Sequence, residues 1–379
     1  MVHQVAGKRF LRRRWPFPSV EYVARLRGVR ALASTQVQVG DVVQLHCTKL
    51  ALGARGVCRH VSGLVVFTDA LPGEQLTARV NKVKKGYAEA TKVTTLQSPL
   101  NLADPPCPHF SVCGGCNYQN LQYDAQLLAK QQQVSETLQR IGGISNCNDV
   151  LLPIIPCQQQ YHYRNNMQFT FSEAPFQHKE SQRQQSHVLF GTSTITERLC
   201  ELDFQISPES FFQVNSAQAE VLYDLVHKAA GLRSTDIVMD LFCGTGSIGL
   251  TLAQDCHHVY GFESTASSVV DARRNAEVNG ISNATFVHGD LTKVAAMMGK
   301  QYPNPDVIVT DPARAGMSLE VIKYMQQSGA RTIVYVSCNP ATQARDISQL
   351  CTGACARFQG SVYANEAPQL DFLRAIETG

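Results

Sequence analysis

No apolar run in the 379 residues approaches the eighteen or more that a membrane-spanning helix needs. The longest, such as Ile237–Leu241 and Val307–Thr310, are of strand length, so no membrane association is expected. Charge is scarce too: 17% of residues are charged and 44% hydrophobic, which is normal to charge-poor for a folded protein. The net charge is only +3, so whole-chain charge says little about a nucleic-acid partner, and a local patch would have to serve. Acids are nearly missing from residues 1–34, where Lys8, Arg9, Arg12, Arg13, Arg14, Arg25, Arg27 and Arg30 face the single Glu21. The remainder of the chain is therefore net negative.

The same stretch lacks the apolar core of a secretory signal. An Arg-rich, acid-poor segment with Ala31, Ala33 and Ser34 before the first regular element resembles an organellar transit peptide; the alternative is a basic arm able to touch phosphate. A disulfide framework is also not expected. The thirteen cysteines are odd in number and irregular in spacing, in a chain too large to need such staples. They point to a reducing, intracellular compartment: a chloroplast or mitochondrion if residues 1–34 are a transit peptide, the cytoplasm otherwise.

With residues 1–34 set aside, three segments follow. Residues 35–100 read as short strands (Val42–Cys47, Gly56–His60, Leu64–Thr68, Gln75–Lys82, Tyr87–Val93) separated by glycines and Pro72-Gly73, the pattern of a small β-barrel. Gly63 to Glu74, followed by Lys82-Val-Lys-Lys-Gly-Tyr87, resembles the TRAM domain, an OB-like barrel attached to RNA-modifying enzymes. Lys82, Lys84, Lys85 and Tyr87 then form either an RNA-contact strip or a solvated strand. Residues 101–216 form a central α+β segment: a cysteine cluster, a helical run from Tyr123 to Ile141, strands around Tyr163–Phe171 and Ser186–Phe190, and a Gln/Ser-rich loop over 177–185.

Residues 217–379 alternate helix and short apolar strand. Strands fall at Ile237–Leu241, His258–Phe262, Ala284–His288, Val307–Thr310 and Thr332–Val336; helices fit 217–231, 247–254, 265–279, 318–328 and 341–350. This predicts a Rossmann-like parallel sheet with its ligands at the strand carboxyl ends, closed by an antiparallel pair, Arg357–Tyr363 and Leu370–Ile376. The glycine loop Asp240-Leu-Phe-Cys-Gly-Thr-Gly-Ser-Ile-Gly249 is by itself shared by NAD and S-adenosylmethionine enzymes. Three acids favour S-adenosylmethionine: Asp240 before the loop, suited to an amino group; Glu263 at the next strand end, suited to both ribose hydroxyls; and Asp290 at the third, suited to the adenine amino group. Asp311 ends the fourth strand beside the donor.

The fifth strand runs into Tyr335-Val-Ser-Cys-Asn-Pro340 and so presents one thiol, Cys338, in a tight turn facing the cofactor. Uracil C5 is too weak a nucleophile to take a methyl group directly. A thiolate adding to C6 makes C5 nucleophilic, and a base must then remove the C5 proton so that the thiolate can leave. An inert, buried cysteine is the competing reading.

Here the resemblance is to TRAM-containing RNA uracil-C5 methyltransferases, across nearly all of residues 35–379. It rests on Cys113-Gly-Gly-Cys-Asn-Tyr-Gln119, Tyr163-Arg-Asn-Asn-Met-Gln-Phe169, Phe211-Phe-Gln-Val-Asn215, Asp240 to Gly246, Asp311-Pro-Ala-Arg-Ala-Gly316 and Tyr335 to Asp346. The resemblance implies that Gln213, Phe242, Glu263 and Asp311 line the cofactor and target-base site, that Cys338 is the nucleophile, and that the partner is structured RNA, ribosomal or transfer. Gly244 and Ser247 belong to the same cofactor loop; Ser247 stands where the family commonly has Asn. We expect a monomer. The chain departs from the family at its end. Pro368-Gln-Leu-Asp371 puts Asp371 where the family carries the Glu that removes the proton, with Glu366 as a rival. An Asp is one methylene shorter, and a ~1 Å misplacement can cost about 100-fold. Other readings are cytosine-C5 methylation, which also uses a Cys at C6, and an RNA-binding or assembly factor with weakened catalysis.

Cys107, Cys113 and Cys116 begin a metal-type cluster that needs a fourth ligand, which the resemblance implies is Cys200. Four thiolates hold either a [4Fe–4S] cluster or zinc, and spacing does not separate them; the resemblance implies the cluster. The Cys-x3-Cys-x2-Cys pattern of radical S-adenosylmethionine enzymes is missing, so a fold-holding or RNA-positioning role is expected.

Overall fold

The computed structural model describes residues 37–110, 112–113, 115–166, 191–293, 300–351, 362–364 and 372–377. The chain divides into two compact units, one built on residues up to Lys49 with Arg55–Pro99, the other on Leu50–Ala54 with Leu100–Gly379.

In the first unit, β1 (Val42–Leu50), β2 (Gly56–Arg59), β3 (Val65–Thr68), β4 (Gln75–Lys84) and β5 (Tyr87–Gln97) close into a barrel in the order β1-β2-β3-β5-β4. Alternate residues turn inward: Val43, Leu45 and Cys47 from β1 meet Cys58, Val66, Leu76, Ala78, Val80, Ala88 and Ala90. Three of these, Ala78, Ala88 and Ala90, are small and keep the interior narrow enough for side chains to fill it. β4 and β5 run further than the alternation predicts. Their outer halves are exposed, so hydrophobic periodicity ends there while the main-chain ladder continues to Lys84↔Tyr87.

The second unit holds α1 (Tyr123–Arg140), the short α2 (Cys147–Val150), a hairpin of β6 (Ile195–Leu199) and β7 (Leu202–Ile206), and then the alternating region. That region runs α3 (Ser216–Ala230), β8 (Ile237–Leu241), α4 (Ser247–Leu252), β9 (His258–Glu263), α5 (Ala266–Val278), β10 (Ala284–His288), β11 (Val307–Thr310), α6 (Leu319–Gln327), β12 (Thr332–Tyr335), α7 (Pro340–Leu350), β13 (Val362–Ala364) and β14 (Phe372–Glu377). The sheet order is β10-β9-β8-β11-β12-β14-β13, with β8 to β12 parallel and β14 antiparallel to both its neighbours. The predicted barrel, Rossmann-like sheet and antiparallel closing pair are therefore present.

β11 and β12 are buried at every position, as a parallel strand covered on both faces must be. Alternate strand residues feed two cores. Val238, Val259, Val307, Val309 and Val334 pack with α3, α4 and α5; Met239, Leu241, Ile308, Ile333 and Tyr335 pack with α1, α6 and α7. Helix starts follow from capping chemistry. Asn215 accepts from Gln218 N, Ser318 from Val321 N, and Asn339 from Ala341 N with Pro340 at the first helical position. The consequence for function is that Asp240, Glu263, Asp311 and Cys338 all lie at or just past the carboxyl ends of sheet strands. The segments expected as strands at 186–190 and most of 163–171, and the Gln/Ser loop at 177–185, lie outside the described residues, as do residues 1–34.

Candidate active site

The loop after β8 turns on three left-handed residues, Phe242 (φ 65°), Gly244 (φ 53°) and Gly246 (φ 78°), and delivers the chain into α4. Gly249 lies so close to β8 that an added Cβ would sit 2.8 Å from Asp240 Oδ2. Its N–H instead donates to that oxygen at 2.9 Å. The other Asp240 oxygen, Oδ1, is buried without a hydrogen-bond partner among the described residues. Burial, reinforced by the charges of Asp311 and Glu263, pushes the Asp240 carboxyl up to about 8. Burial also lifts Asp311 to about 7.

Glu263 links two turns. Its Oε2 accepts from Gly244 N at 3.2 Å, while Oε1 accepts from Thr265 N at 2.7 Å and from Ser264 Oγ at 3.1 Å. Three acids thus converge on one loop with no ion-pair partner among the described residues. That arrangement favours a ligand bringing positive charge and hydrogen-bond donors, and it gives the orphaned Asp240 oxygen something to receive. S-adenosylmethionine, with its ammonium, sulfonium and ribose hydroxyls, fits this donor set. Asp290 is exposed and accepts from Thr292 N at 3.0 Å; hydrogen bonds from Thr292 hold its carboxyl below the usual range. Ser247 shares a 2.7 Å hydrogen bond with Tyr223 of α3, and Phe242 packs half-buried against the core containing α6 and α7.

Gln213 is half-buried on the segment that passes over the glycine loop, with the Phe211 carbonyl facing Gly244. Asn165 holds that segment. Its N–H donates to Val214 O at 3.1 Å, and its side-chain amide to Gln213 O and Ser216 Oγ, both at 3.1 Å. Asn165 lies within a motif recognised in the sequence but carried no role there; no local signal joins it to a segment some fifty residues on.

Cys338 is half-buried between β12 and α7. Val336 N donates to Thr310 O at 2.8 Å, and Asp311 N to Leu241 O at 3.3 Å, so the ends of β8, β11 and β12 are laced together. Asn339 Nδ2 and Thr342 Oγ1 both donate to Arg314 O, at 3.0 and 3.2 Å, fastening the Asp311–Gly316 loop beside the thiol. Both expected bases, Asp371 and Glu366, lie outside the described residues. β14 begins at Phe372 and runs antiparallel to β12, pairing Val334 with Ala375 and Thr332 with Glu377. Its first residue is therefore at the carboxyl end of β12, the end that leads to Cys338.

The expected four-thiolate set is not assembled. Among the described residues no three His, Cys, Asp or Glu come together to hold a metal ion. Cys107 is half-buried, with its N–H on Gln119 Oε1, while Cys113 and Cys116 are exposed. Cys200 occupies the corner of the β6–β7 hairpin at φ 49°, and its N–H donates to Glu220 Oε1 of α3 at 2.9 Å. Hairpin pairing of Leu199 with Leu202 and the bond to α3 fix it there. Burial, with the charges of Glu220 and Asp224, pushes its thiol up to about 11.

On the barrel, Lys82, Lys84 and Lys85 are exposed near the β4–β5 turn. Lys84 Nζ stands 5.3 Å from the centre of the Tyr87 ring, which meets Phe67 edge-on at 5.5 Å.

Comparison with known proteins gives one family profile, two relatives and one solved structure. A family profile described as tRNA (Uracil-5-)-methyltransferase matches residues 182–359. An uncharacterized RNA methyltransferase of Nitratidesulfovibrio vulgaris is 32% identical, with 82% of this chain and 90% of that protein covered. One of Halalkalibacterium halodurans is 30% identical, covering 84% and 92%. The first alignment extends over 427 positions against 379 residues here, so that relative carries internal residues without counterparts in this chain. Among solved structures, Pyrococcus abyssi tRNA (uracil-54, C5)-methyltransferase in complex with S-adenosyl-L-homocysteine superposes with TM-score 0.64 at 22% identity, covering 88% of this chain and 100% of that one. At that identity the likeness speaks to the fold.

Proposed function

The chain belongs to the family of RNA uracil-C5 methyltransferases, and from that premise we propose that it methylates C5 of a uridine in structured RNA, ribosomal or transfer, through a covalent adduct at Cys338. The observation that carries this reading is the shared edge of the sheet. The acids around the glycine loop and the turn bearing Cys338 occupy the carboxyl ends of β8, β9, β11 and β12, held to one another by main-chain bonds.

Asp240, Glu263 and the Gly244–Ser247 loop would hold S-adenosylmethionine, with Gln213, Phe242, Asp290 and Asp311 around it. When bound there, it supplies an electrophilic methyl group. Cys338 as thiolate forms a bond to C6, and the electrons of the C5–C6 double bond move toward C5 and the O4 carbonyl. After methylation at C5 the ring carries one proton too many at that carbon. A carboxylate removes it, the C5–C6 double bond re-forms, and the thiolate leaves. We assign the proton removal to Asp371, one residue before β14, with Glu366 as the alternative. The barrel we read as TRAM-like, supported by its closed five-stranded topology and the Lys82–Tyr87 strip, which would contact RNA by charge and stacking. The basic segment 1–34 we assign to organellar targeting or to phosphate contact. We assign Cys107, Cys113, Cys116 and Cys200 as the thiolates that would hold a [4Fe–4S] cluster with a fold-holding or RNA-positioning role, and no step of the reaction runs through it.

The test is methyl transfer from labelled S-adenosylmethionine to RNA, followed by nucleoside analysis. Label in 5-methyluridine supports the proposal. Label in 5-methylcytidine, or RNA binding without any transfer, sinks it.

A further inference from the structure

Asp346 is a fully buried carboxylate two turns along α7 from Cys338, and no step of the reaction uses it. Its Oδ2 accepts from Met317 N and from the Tyr335 hydroxyl, each at 2.8 Å. Its Oδ1 accepts from Arg345 Nε at 2.8 Å and Nη2 at 2.6 Å, and Arg345 Nη2 also donates to Ala315 O at 3.0 Å. One carboxyl group thereby joins the Asp311–Gly316 loop, the last residue of β12, and α7. These are the segments on either side of Cys338 and the one beside it. The fit is close: at Gly316 (φ +77°) an added Cβ would lie 2.5 Å from Asp346 Oδ2.

A buried ion pair adds little net stability, and apolar residues of similar volume often do as well. What this carboxylate adds is a fixed geometry among three loops. We propose that Asp346 is a positioning residue for the covalent step, a strut that sets the Cys338 thiol relative to the Asp311 loop. This rests on the reading of Cys338 as the nucleophile. Asparagine at this position keeps an oxygen for Met317 N and Tyr335 OH but loses the charge and the acceptor for Arg345; alanine removes the strut.

The experiment compares wild type, Asp346→Asn, Asp346→Ala and Tyr335→Phe in two assays. The first is the rate of covalent capture by RNA containing 5-fluorouridine, together with kcat and KM for S-adenosylmethionine. The second uses no RNA: the rate of iodoacetamide alkylation at Cys338 relative to exposed Cys113, read by peptide mass spectrometry. Asp346→Ala is expected to slow capture and kcat about 100-fold, as an ångström-scale misplacement does, with KM for S-adenosylmethionine within about twofold. Tyr335→Phe, which leaves the carboxylate in place, is expected to slow capture about tenfold, and Asp346→Asn by less than about tenfold. Both Asp346→Ala and Tyr335→Phe should shift the alkylation ratio, and Asp346→Asn should restore it. The strut is overturned if folded Asp346→Ala captures RNA at the wild-type rate, if Asn rescues nothing, or if the alkylation ratio is the same in wild type and Tyr335→Phe. Wild-type protein that captures no RNA would count against the proposed reaction instead, and the alkylation ratio would still decide the strut.

Discussion

Cys338 and Cys200 are both half-buried thiols just past the end of a strand, and their surroundings are opposite. Cys200 closes an antiparallel hairpin against α3, where burial, with the charges of Glu220 and Asp224, pushes the thiol up to about 11. Cys338 follows a central parallel strand and immediately precedes α7, whose first turn of N–H groups favours nearby negative charge. Three further strands deliver the Asp240, Glu263 and Asp311 carboxylates to the same edge. Topology sets these two strand-end cysteines apart: one closes a hairpin, and the other lies at the sheet end that gathers the acids.

Mutation of the two thiols breaks this comparison most sharply. Cys338→Ala is expected to remove methyl transfer by a factor on the order of 10⁴ or more, and Cys200→Ser to leave it within about twofold, measured as label in 5-methyluridine. Cys200→Ser should also lower the iron or zinc content of the purified protein, by elemental analysis. An unchanged metal content would remove Cys200 from the ligand set.

The carboxylate opposite the thiol comes next. Asp371→Asn is expected to lower turnover about 100- to 1,000-fold while the RNA adduct still forms and accumulates; Glu366→Gln should change turnover by less than about threefold. The reverse ranking on denaturing gels and in turnover assays would exchange the two roles.

The acids of the glycine loop give a smaller effect with a definite sign. Asp240 titrates near 8 in the unliganded protein, against about 3.9 unfolded. Between those values the native state holds a proton that the unfolded state lacks, so Asp240's contribution to stability falls as pH rises toward 8. The Tm of the unliganded protein should therefore decline from pH 6 to 9 more steeply than that of Asp240→Asn. Ligand binding favours the ionised form, so S-adenosylmethionine should bind with proton release at pH 7, seen by calorimetry in buffers of different ionisation enthalpy. Asp240→Asn should bind about tenfold more weakly with less proton release. Equal release in both proteins would contradict the assignment.

On the barrel, Lys84→Ala and Tyr87→Ala should each weaken RNA binding about three- to tenfold, the lysine change also lowering the salt dependence. Unchanged binding would make the strip a solvated strand.

The sequence showed those features whose signal is local. The glycine loop, Asp311-Pro-Ala-Arg and Ser-Cys-Asn-Pro are short runs at strand ends, and hydrophobic runs located the five parallel strands to within one residue. What it concealed is long-range or unpatterned. Asn165 meets Gln213, and Asp346 meets Met317, through contacts that no periodicity encodes. The outer halves of β4 and β5 are held by ladder bonds after the apolar alternation has ended. The β6–β7 hairpin was not foreseen, and with it the corner that fixes Cys200. Cys200 was placed by resemblance alone, across more than eighty residues, and it lies at the corner of that hairpin.

The central claim is that Cys338 bonds covalently to the target base. Incubating the protein with 5-fluorouridine RNA and S-adenosylmethionine, then digesting and mapping the denaturation-resistant complex by mass spectrometry, tests it directly. The account predicts a methylated fluorouridine carried on the peptide containing Cys338. An adduct on any other cysteine, or efficient 5-methyluridine formation from normal RNA with no adduct from the fluorinated one, would contradict it.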